Sequence, residues 1–130
     1  MTILLALHSI IRWVIVIVAV IAIVKFAIGW LQKQAFDKMS NGLSAGFNGL
    51  MDLQATLGLL YLLIAGFSGQ GFPGFRLEHS FTMIVAVIVA HSSAMWKKRD
   101  DATRYRNTLF TILISLVIIF VGMSMLPGNG

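Results

Sequence analysis

The sequence predicts an all-α integral membrane protein: a four-transmembrane-helix up-down bundle that forms one domain over residues 1–130. Three observations predict it. Only 12% of the 130 residues are charged, about half the share found in ordinary soluble domains. The mean hydropathy is +0.86. Four apolar stretches are each long enough to cross a hydrocarbon core, which takes about 20 helical residues.

The four stretches are Ile3–Leu31, Leu43–Phe67, Phe75–Trp96 and Asn107–Leu126. The first is too long for the apolar region of a signal peptide and lacks a basic segment and a small-x-small cleavage site, so we expect a retained helix. The short connections make consecutive helices antiparallel neighbours, which predicts the up-down order. The two halves of the chain show no internal repeat.

The connections predict the orientation in the membrane. Residues 32–42 and 97–107 contain seven of the ten basic residues, and Lys25 can extend to the same side. The connection 67–75 has no charge. By the positive-inside rule, the basic connections are cytoplasmic and both termini lie on the outer, periplasmic side. The basic residues that give the chain its net charge of +5 are therefore expected to lie at the surface of the lipid bilayer rather than to bind a nucleic acid.

The chain has no cysteine. This excludes disulfides, iron–sulfur clusters, thiolate zinc sites and covalently attached c-type haem. Any cofactor has to be held by histidine, carboxylate, arginine, tyrosine or methionine side chains.

Two histidines are predicted at one depth. His8 lies about 7 Å and His79 about 6 Å below the outer ends of their helices, and His91 lies about 18 Å deeper than His79. Axial histidine ligation within a helix bundle holds haem without cysteine. His8 and His79 are therefore candidate ligands of one haem b between the first and third helices. The alternative is that both histidines only form hydrogen bonds between helices.

Other residues fit around such a haem. Arg76 is expected near the outer interface, where it can pair with a propionate. Tyr61 reaches a similar level and can form a hydrogen bond with the cofactor or with a quinone headgroup. Ala86 and Ala90 are expected to leave room for the ring.

Five further polar residues are predicted as structural, buried side chains. Arg12 and Asp52 come within about a turn of the same depth near the midplane, where an unpaired charge costs about 2.5–3.5 kcal/mol. We therefore expect them to pair and to fix the register of the helices. Gln54 points to a different face and needs a hydroxyl or a backbone carbonyl. Glu78 either orients the histidine beside it or is solvated, and His91 lies near the cytoplasmic face.

The segments HSIIRW, DLQATLGLLY, EHSFTM and the AH pair at 90–91 resemble a family of small four-helix bacterial membrane proteins labelled cytochrome b-like. The resemblance covers three of the four predicted helices. It implies a protein of the bacterial cytoplasmic membrane and favours haem binding. Position by position, it singles out His8, Ser9, Arg12, Trp13, Asp52, Gln54, Glu78, His79 and His91.

Two function classes follow. The first is a single-haem b-type electron-transfer or quinone-associated subunit, which is not an enzyme as an isolated chain. Three histidines allow no more than one bis-histidine haem, so the chain alone should not carry electrons across the membrane. The second is a cofactor-free accessory subunit of a larger respiratory or photosynthetic complex, with Gly58 marking a lipid-facing docking surface.

A pigment of the chlorophyll type held by one histidine is a third reading. A transporter is disfavoured because the chain has no repeat or broken helix.

Overall fold

The computed structural model describes residues 2–127, and every regular element in that range is helical. A π-helical turn, Gly66–Gln70, continues the second helix, and a 3₁₀ turn, Ser92–Trp96, continues the third. All four helices are long and apolar enough to cross a membrane, as predicted. They are α1 (Thr2–Leu31), α2 (Lys38–Ala65), α3 (Gly74–His91) and α4 (Asp101–Ser124).

Two helices begin earlier than the apolar stretches indicated. Helix α2 starts at Lys38 and α4 at Asp101, five and six residues before the predicted starts. In each, the preceding aspartate, Asp37 or Asp100, accepts a hydrogen bond from a backbone N–H of the first turn. Such N-caps satisfy donors that have no partner within the helix. Hydropathy missed these turns because they are polar and lie outside the apolar segment.

The helices pack in a ring in which α1 contacts α2, α2 contacts α3, α3 contacts α4, and α4 contacts α1. Helices α1 and α3 therefore face each other across the diagonal. We call the end with the connections 32–37 and 97–100 the basic end. The end with the connection 71–73, the starts of α1 and α3 and the end of α4 is called the neutral end.

The buried core lies in the half of the bundle near the basic end. Ala86 and Ala90, expected to make room for a haem, belong to this core and are 0% and 1% exposed. That expectation was wrong, because α4 packs directly against this part of α3. Ser115 Oγ on α4 lies 3.5 Å from the carbonyl oxygen of Ala86. The core cluster comprises Ile15, Ala19, Ala22, Phe26, Phe47, Met51, Ala86, Ala90, Tyr105, Leu109 and Ile112.

A polar network closes the basic end. The Tyr105 hydroxyl donates to the carbonyl oxygen of Ala35 at 2.7 Å and lies 2.9 Å from Ser40 Oγ. Ser40 Oγ in turn donates to Asp37 Oδ1 at 2.8 Å. Lys25 extends from α1 to the same end, as predicted, with Nζ 3.1 Å from Asp37 Oδ2. The network ties the first connection to α1, α2 and α4.

The two capping carboxylates are stabilised in their charged form. Hydrogen bonds from the backbone N–H and the hydroxyl of Ser40, followed by that from Lys25, lower the pKa of Asp37 to about 2. Hydrogen bonds from the hydroxyl and the backbone N–H of Thr103 lower the pKa of Asp100. Both carboxylates lie just before the first residue of their helices. Because their pKa values are lowered, both helices keep a charged N-cap at neutral pH.

Candidate functional site

A cavity of about 450 Å³ lies in the half of the bundle near the neutral end. Its volume falls in the range of roughly 300–1,000 Å³ that is typical of ligand and cofactor pockets. All four helices line it, mostly with apolar side chains. His8 on α1 and His79 on α3 both line this neutral-end cavity. The structure thus brings the two predicted ligand residues to one cavity, from helices that lie diagonally across the bundle.

The ring of His79 is oriented by the backbone of α4. Its Nδ1 lies 2.8 Å from the carbonyl oxygen of Gly122. Because a carbonyl oxygen only accepts, Nδ1 carries a proton, and in the neutral tautomer Nε2 is the nitrogen with the free lone pair. Metal-binding histidines are usually held in this way, by a carbonyl or a carboxylate on the second ring nitrogen.

Gly122 has a role that sequence reasoning missed. A Cβ at this position would lie 2.5 Å from Cε of Met83 and 3.3 Å from Cγ2 of Thr82, so a larger residue would require the Met83 side chain to move where α4 packs against α3. The available signal was a lone glycine within the apolar run IIFVGMS.

His8 lies beside a second glycine. Its Nε2 is 3.4 Å from the place that a Cβ on Gly58 would occupy. Gly58 therefore faces the neutral-end cavity, and the expectation of a lipid-facing docking position was wrong. The helical register turns this residue towards α1 and leaves space next to the imidazole.

Gln54 joins α2 to the backbone of α1 at the same level. Its Nε2 donates to the carbonyl oxygen of His8 at 2.8 Å, which confirms the predicted backbone partner. Its Oε1 is buried and has no hydrogen-bond partner within residues 2–127. A donor from a bound molecule would satisfy this oxygen.

Arg76 and Tyr61 form a cation–π pair next to the cavity rather than in its wall. The Arg76 guanidinium carbon lies 5.5 Å from the centre of the Tyr61 ring and 5.9 Å from that of Phe75. Arg76 Nη1 is buried and makes no hydrogen bond within the part of the chain that the structure describes. This cationic donor is available to an anionic group at the neutral end.

The predicted pair between Arg12 and Asp52 does not form. Asp52 Oδ1 lies 2.7 Å from His91 Nε2 on α3, whereas Arg12 lines the neutral-end cavity with its guanidinium 5.4 Å from the Trp13 ring. Met51 lines that cavity, and the next residue is rotated by about 100° around the helix. This rotation turns Asp52 towards α3. Depth alone could not predict it.

Three of the five predicted buried polar side chains are exposed on the surface of the chain. The side chains of Asp52 and His91 are 52% and 47% exposed, and Glu78 is exposed as well. Glu78 does not orient the histidine beside it, because the carbonyl of Gly122 has that role. Arg12 and Gln54 are half-buried at the cavity.

The residues present fit a haem on chemical grounds. Within residues 2–127, no three His, Cys, Asp or Glu side chains lie close enough together to hold a metal ion by themselves. A haem needs only axial ligands from the protein, because the porphyrin supplies four nitrogens. The neutral-end cavity offers two imidazoles, an apolar wall and, beside it, the unpartnered Nη1 of Arg76 for an anionic substituent.

Comparison with models of protein families, with curated proteins and with solved structures found no match for this chain.

Proposed function

We propose that this chain is a multi-pass protein of the bacterial cytoplasmic membrane that binds one haem b in the neutral-end cavity, with His8 and His79 as the axial ligands. The observation that carries the proposal is the hydrogen bond from His79 Nδ1 to the carbonyl oxygen of Gly122. It leaves Nε2 as the ring nitrogen of His79 that is available to a metal, and both His79 and His8 line the cavity. When bound, the haem supplies reversible one-electron chemistry.

The diagonal placement of the two histidines supports this proposal. Neighbouring helices pack about 8–10 Å apart, and the diagonal of a four-helix ring is longer. A diagonal pair of imidazoles therefore leaves space for a planar group between them, which a neighbouring pair would not. Gly58 provides the space next to His8.

The remaining polar groups have assigned tasks. Arg76 donates Nη1 to a propionate, and Tyr61 holds its guanidinium by stacking. Gln54 fixes the turn of α1 that carries His8. If His8 and His79 both held the iron of one haem, they would leave no position for a further ligand, and the haem would supply electron transfer. We therefore infer that the chain exchanges electrons with a quinone or with a larger respiratory or photosynthetic complex.

The basic end is assigned to the cytoplasm and both termini to the periplasmic side, which places the haem site in the outer leaflet. The basic connections support this orientation by the positive-inside rule. Reporter tags on Met1 and Gly130 should both respond on the outer side, and a tag in the connection 97–100 should respond in the cytoplasm. A cytoplasmic terminus would overturn the orientation but leave the haem site intact.

The visible spectrum of the purified protein, prepared with ample haem, tests the haem site. The reduced protein should show a sharp low-spin bis-imidazole spectrum of the b type. His8→Ala and His79→Ala should each abolish it or convert it to high spin. His91→Ala is the matched control and should leave it unchanged, because His91 lies about 18 Å away along α3.

A second readout does not depend on colour. A haem that binds only the folded chain should raise the midpoint temperature of unfolding with increasing haem concentration, and neither His8→Ala nor His79→Ala should show the full increase. A colourless protein, or a spectrum that is insensitive to both substitutions, would contradict the proposal.

That outcome would favour the second candidate, a cofactor-free accessory subunit. A specific observation supports it: Gly42, Gly46 and Gly49 on α2 have no atom within 4 Å of the place a Cβ would occupy. Small residues on an open helix face allow a helix of a partner protein to approach closely in a membrane.

A further inference from the structure

A second cavity, also of about 450 Å³, lies in the half of the bundle near the basic end, between α2, the end of α3 and the start of α4. Polar and charged residues dominate its lining, in contrast to the apolar wall of the neutral-end cavity. Lys97 and Arg104 line it at the level of the basic end, and Asp52 and His91 line it farther from that end. We call it the basic-end vestibule.

Polar groups continue along the vestibule from its mouth to its deepest residues. Near the mouth, Arg104 Nη2 donates to Asn41 Oδ1 at 3.0 Å. Farther in, Asn48 Nδ2 donates to Ser93 Oγ at 3.2 Å. Asn41, Asn48 and Asp52 follow each other along α2 by two turns and then one, so they share a face of the helix.

The pair between Asp52 and His91 lies within a predicted membrane span. His91 precedes Trp96 by five residues, which places it roughly 8 Å inside the basic end. About half of each side chain is exposed, 52% for Asp52 and 47% for His91. Ionisable groups at such a depth usually face a water-filled cavity and lie on the path of a proton or another ion.

We propose that the basic-end vestibule is filled with water from the aqueous phase at the basic end, and that Asp52 and His91 form a site that binds and releases protons from that phase. The volume suffices for several waters, since each occupies about 30 Å³ in the liquid. The amides of Asn41 and Asn48 and the hydroxyl of Ser93 give these waters the polar partners that ordered water needs.

The charges around the pair support reversible proton binding. His91 is the vestibule residue whose type changes charge between about pH 5 and 8. It contacts Asp52 on α2, and the other charged residues that line the vestibule are Arg104 on α4 and Lys97 in the segment after the 3₁₀ turn. Among the residues that the structure describes, the vestibule and the neutral-end cavity share no lining residue, so we expect exchange with one side of the membrane. The site does not depend on the proposed haem.

The absence of cysteine allows a direct test of the vestibule with single-cysteine variants in membrane vesicles. Gly49 lines the vestibule and Gly46 does not, although both have open space for a side chain. Gly49 lies about 4.5 Å deeper than Gly46. A membrane-impermeant thiol reagent reacts with the thiolate, which requires water.

We expect Gly49→Cys to react roughly tenfold faster than Gly46→Cys, because water supports the thiolate at residue 49. The reaction should occur only from the face on which Lys98→Cys, the reference for the basic end, is labelled. Leu53→Cys, which is exposed one turn deeper but outside the vestibule, should not react. A Gly49→Cys rate equal to or below that of Gly46→Cys would overturn the vestibule.

Nitrogen-15 magnetic resonance of labelled histidine in bilayers tests proton binding separately. The signals that disappear in His91→Gln should change between about pH 5 and 8, and Asp52→Asn should move the midpoint of that change. Signals of His91 that stay constant over this range would overturn the proton site. Both measurements apply to the protein with or without haem, so their failure is distinct from failure of the haem site.

Discussion

The two halves of this bundle are built differently. Near the basic end, the side chains of the core cluster pack between the helices, and one network joins the hydroxyl of Tyr105 to Ser40 and Asp37. The basic-end vestibule lies to one side of this core, between α2, the end of α3 and the start of α4. Near the neutral end, the same helices surround a cavity of about 450 Å³. Two buried polar atoms beside it, Gln54 Oε1 and Arg76 Nη1, have no hydrogen-bond partner within residues 2–127.

The difference indicates that the half near the basic end stabilises the bundle and that the half near the neutral end provides the candidate site. A buried polar atom without a partner costs about 1–3 kcal/mol, and a cavity loses the packing contacts that stabilise helices in a membrane. The half near the basic end makes such contacts and can hold the helices in register. The half near the neutral end can then keep buried polar atoms that have no hydrogen-bond partner in the described part of the chain and that a bound molecule would satisfy.

The largest expected effect comes from removing one phenylalanine ring in each half. Phe26→Ala removes a ring that is 0% exposed and should lower the free energy of unfolding by about 3–5 kcal/mol. Phe120→Ala is the matched control near the neutral end, where the ring is 62% exposed, and should have a much smaller effect. Unfolding in mixed micelles measures both. Equal losses would refute the difference between the halves.

Two glycines give the next comparison. A Cβ on Gly29 would lie 2.5–2.7 Å from three atoms of the Tyr105 ring, so Gly29→Ala should cost about 1–3 kcal/mol by overpacking. Gly58→Ala places a Cβ at 3.4 Å from His8 Nε2. It should change stability little while weakening haem binding, measured by titration. Gly46→Ala, in open space, is the control for both: it should leave haem binding unchanged and should not lower stability, because alanine is the better helix former.

A smaller effect separates satisfied from unsatisfied polar groups. Tyr105→Phe removes the hydroxyl that donates to the carbonyl oxygen of Ala35 and should cost about 1 kcal/mol. Gln54→Met removes the hydrogen bond from Nε2 to the carbonyl oxygen of His8 together with the buried Oε1, which is unpartnered within the described residues. It should cost less, because removing an unpartnered buried oxygen offsets part of the lost hydrogen bond. The same unfolding assay compares them. A larger loss of stability for Gln54→Met would contradict this comparison, because polar groups near the neutral end would then contribute at least as much to stability as those near the basic end.

The smallest expected effect is a loss of stability at low pH, caused by protonation of Asp37 near the basic end. Because the folded pKa of Asp37 is lowered to about 2, its contribution to stability is present above the ordinary pKa of 3.8 and is lost as the pH falls towards 2. The midpoint temperature of unfolding should therefore decrease between pH 5 and 2 by less in Asp37→Asn than in the unchanged protein. Asp101→Asn, one residue after a cap, is the control. An identical decrease in Asp37→Asn would refute this contribution.

Much of the fold could be predicted from sequence because it depends on apolar length and on charge between the apolar segments. The number of helices, the up-down order and the shared level of His8 and His79 all follow from counting residues along helices. The starts of α2 and α4 could not be read from hydropathy, because polar first turns capped by Asp37 and Asp100 extend beyond the apolar segments.

The sequence by itself determined how far along its helix each polar residue lies, because the rise per residue of a helix is fixed. Only the tertiary structure decided which way each one faces, since rotation about the helix axis depends on how neighbouring helices pack. This is why Asp52 pairs with His91 rather than Arg12, and why Gly58 faces His8 rather than lipid. The carbonyl of Gly122 that orients His79 is a backbone group, which no side-chain pattern could have indicated.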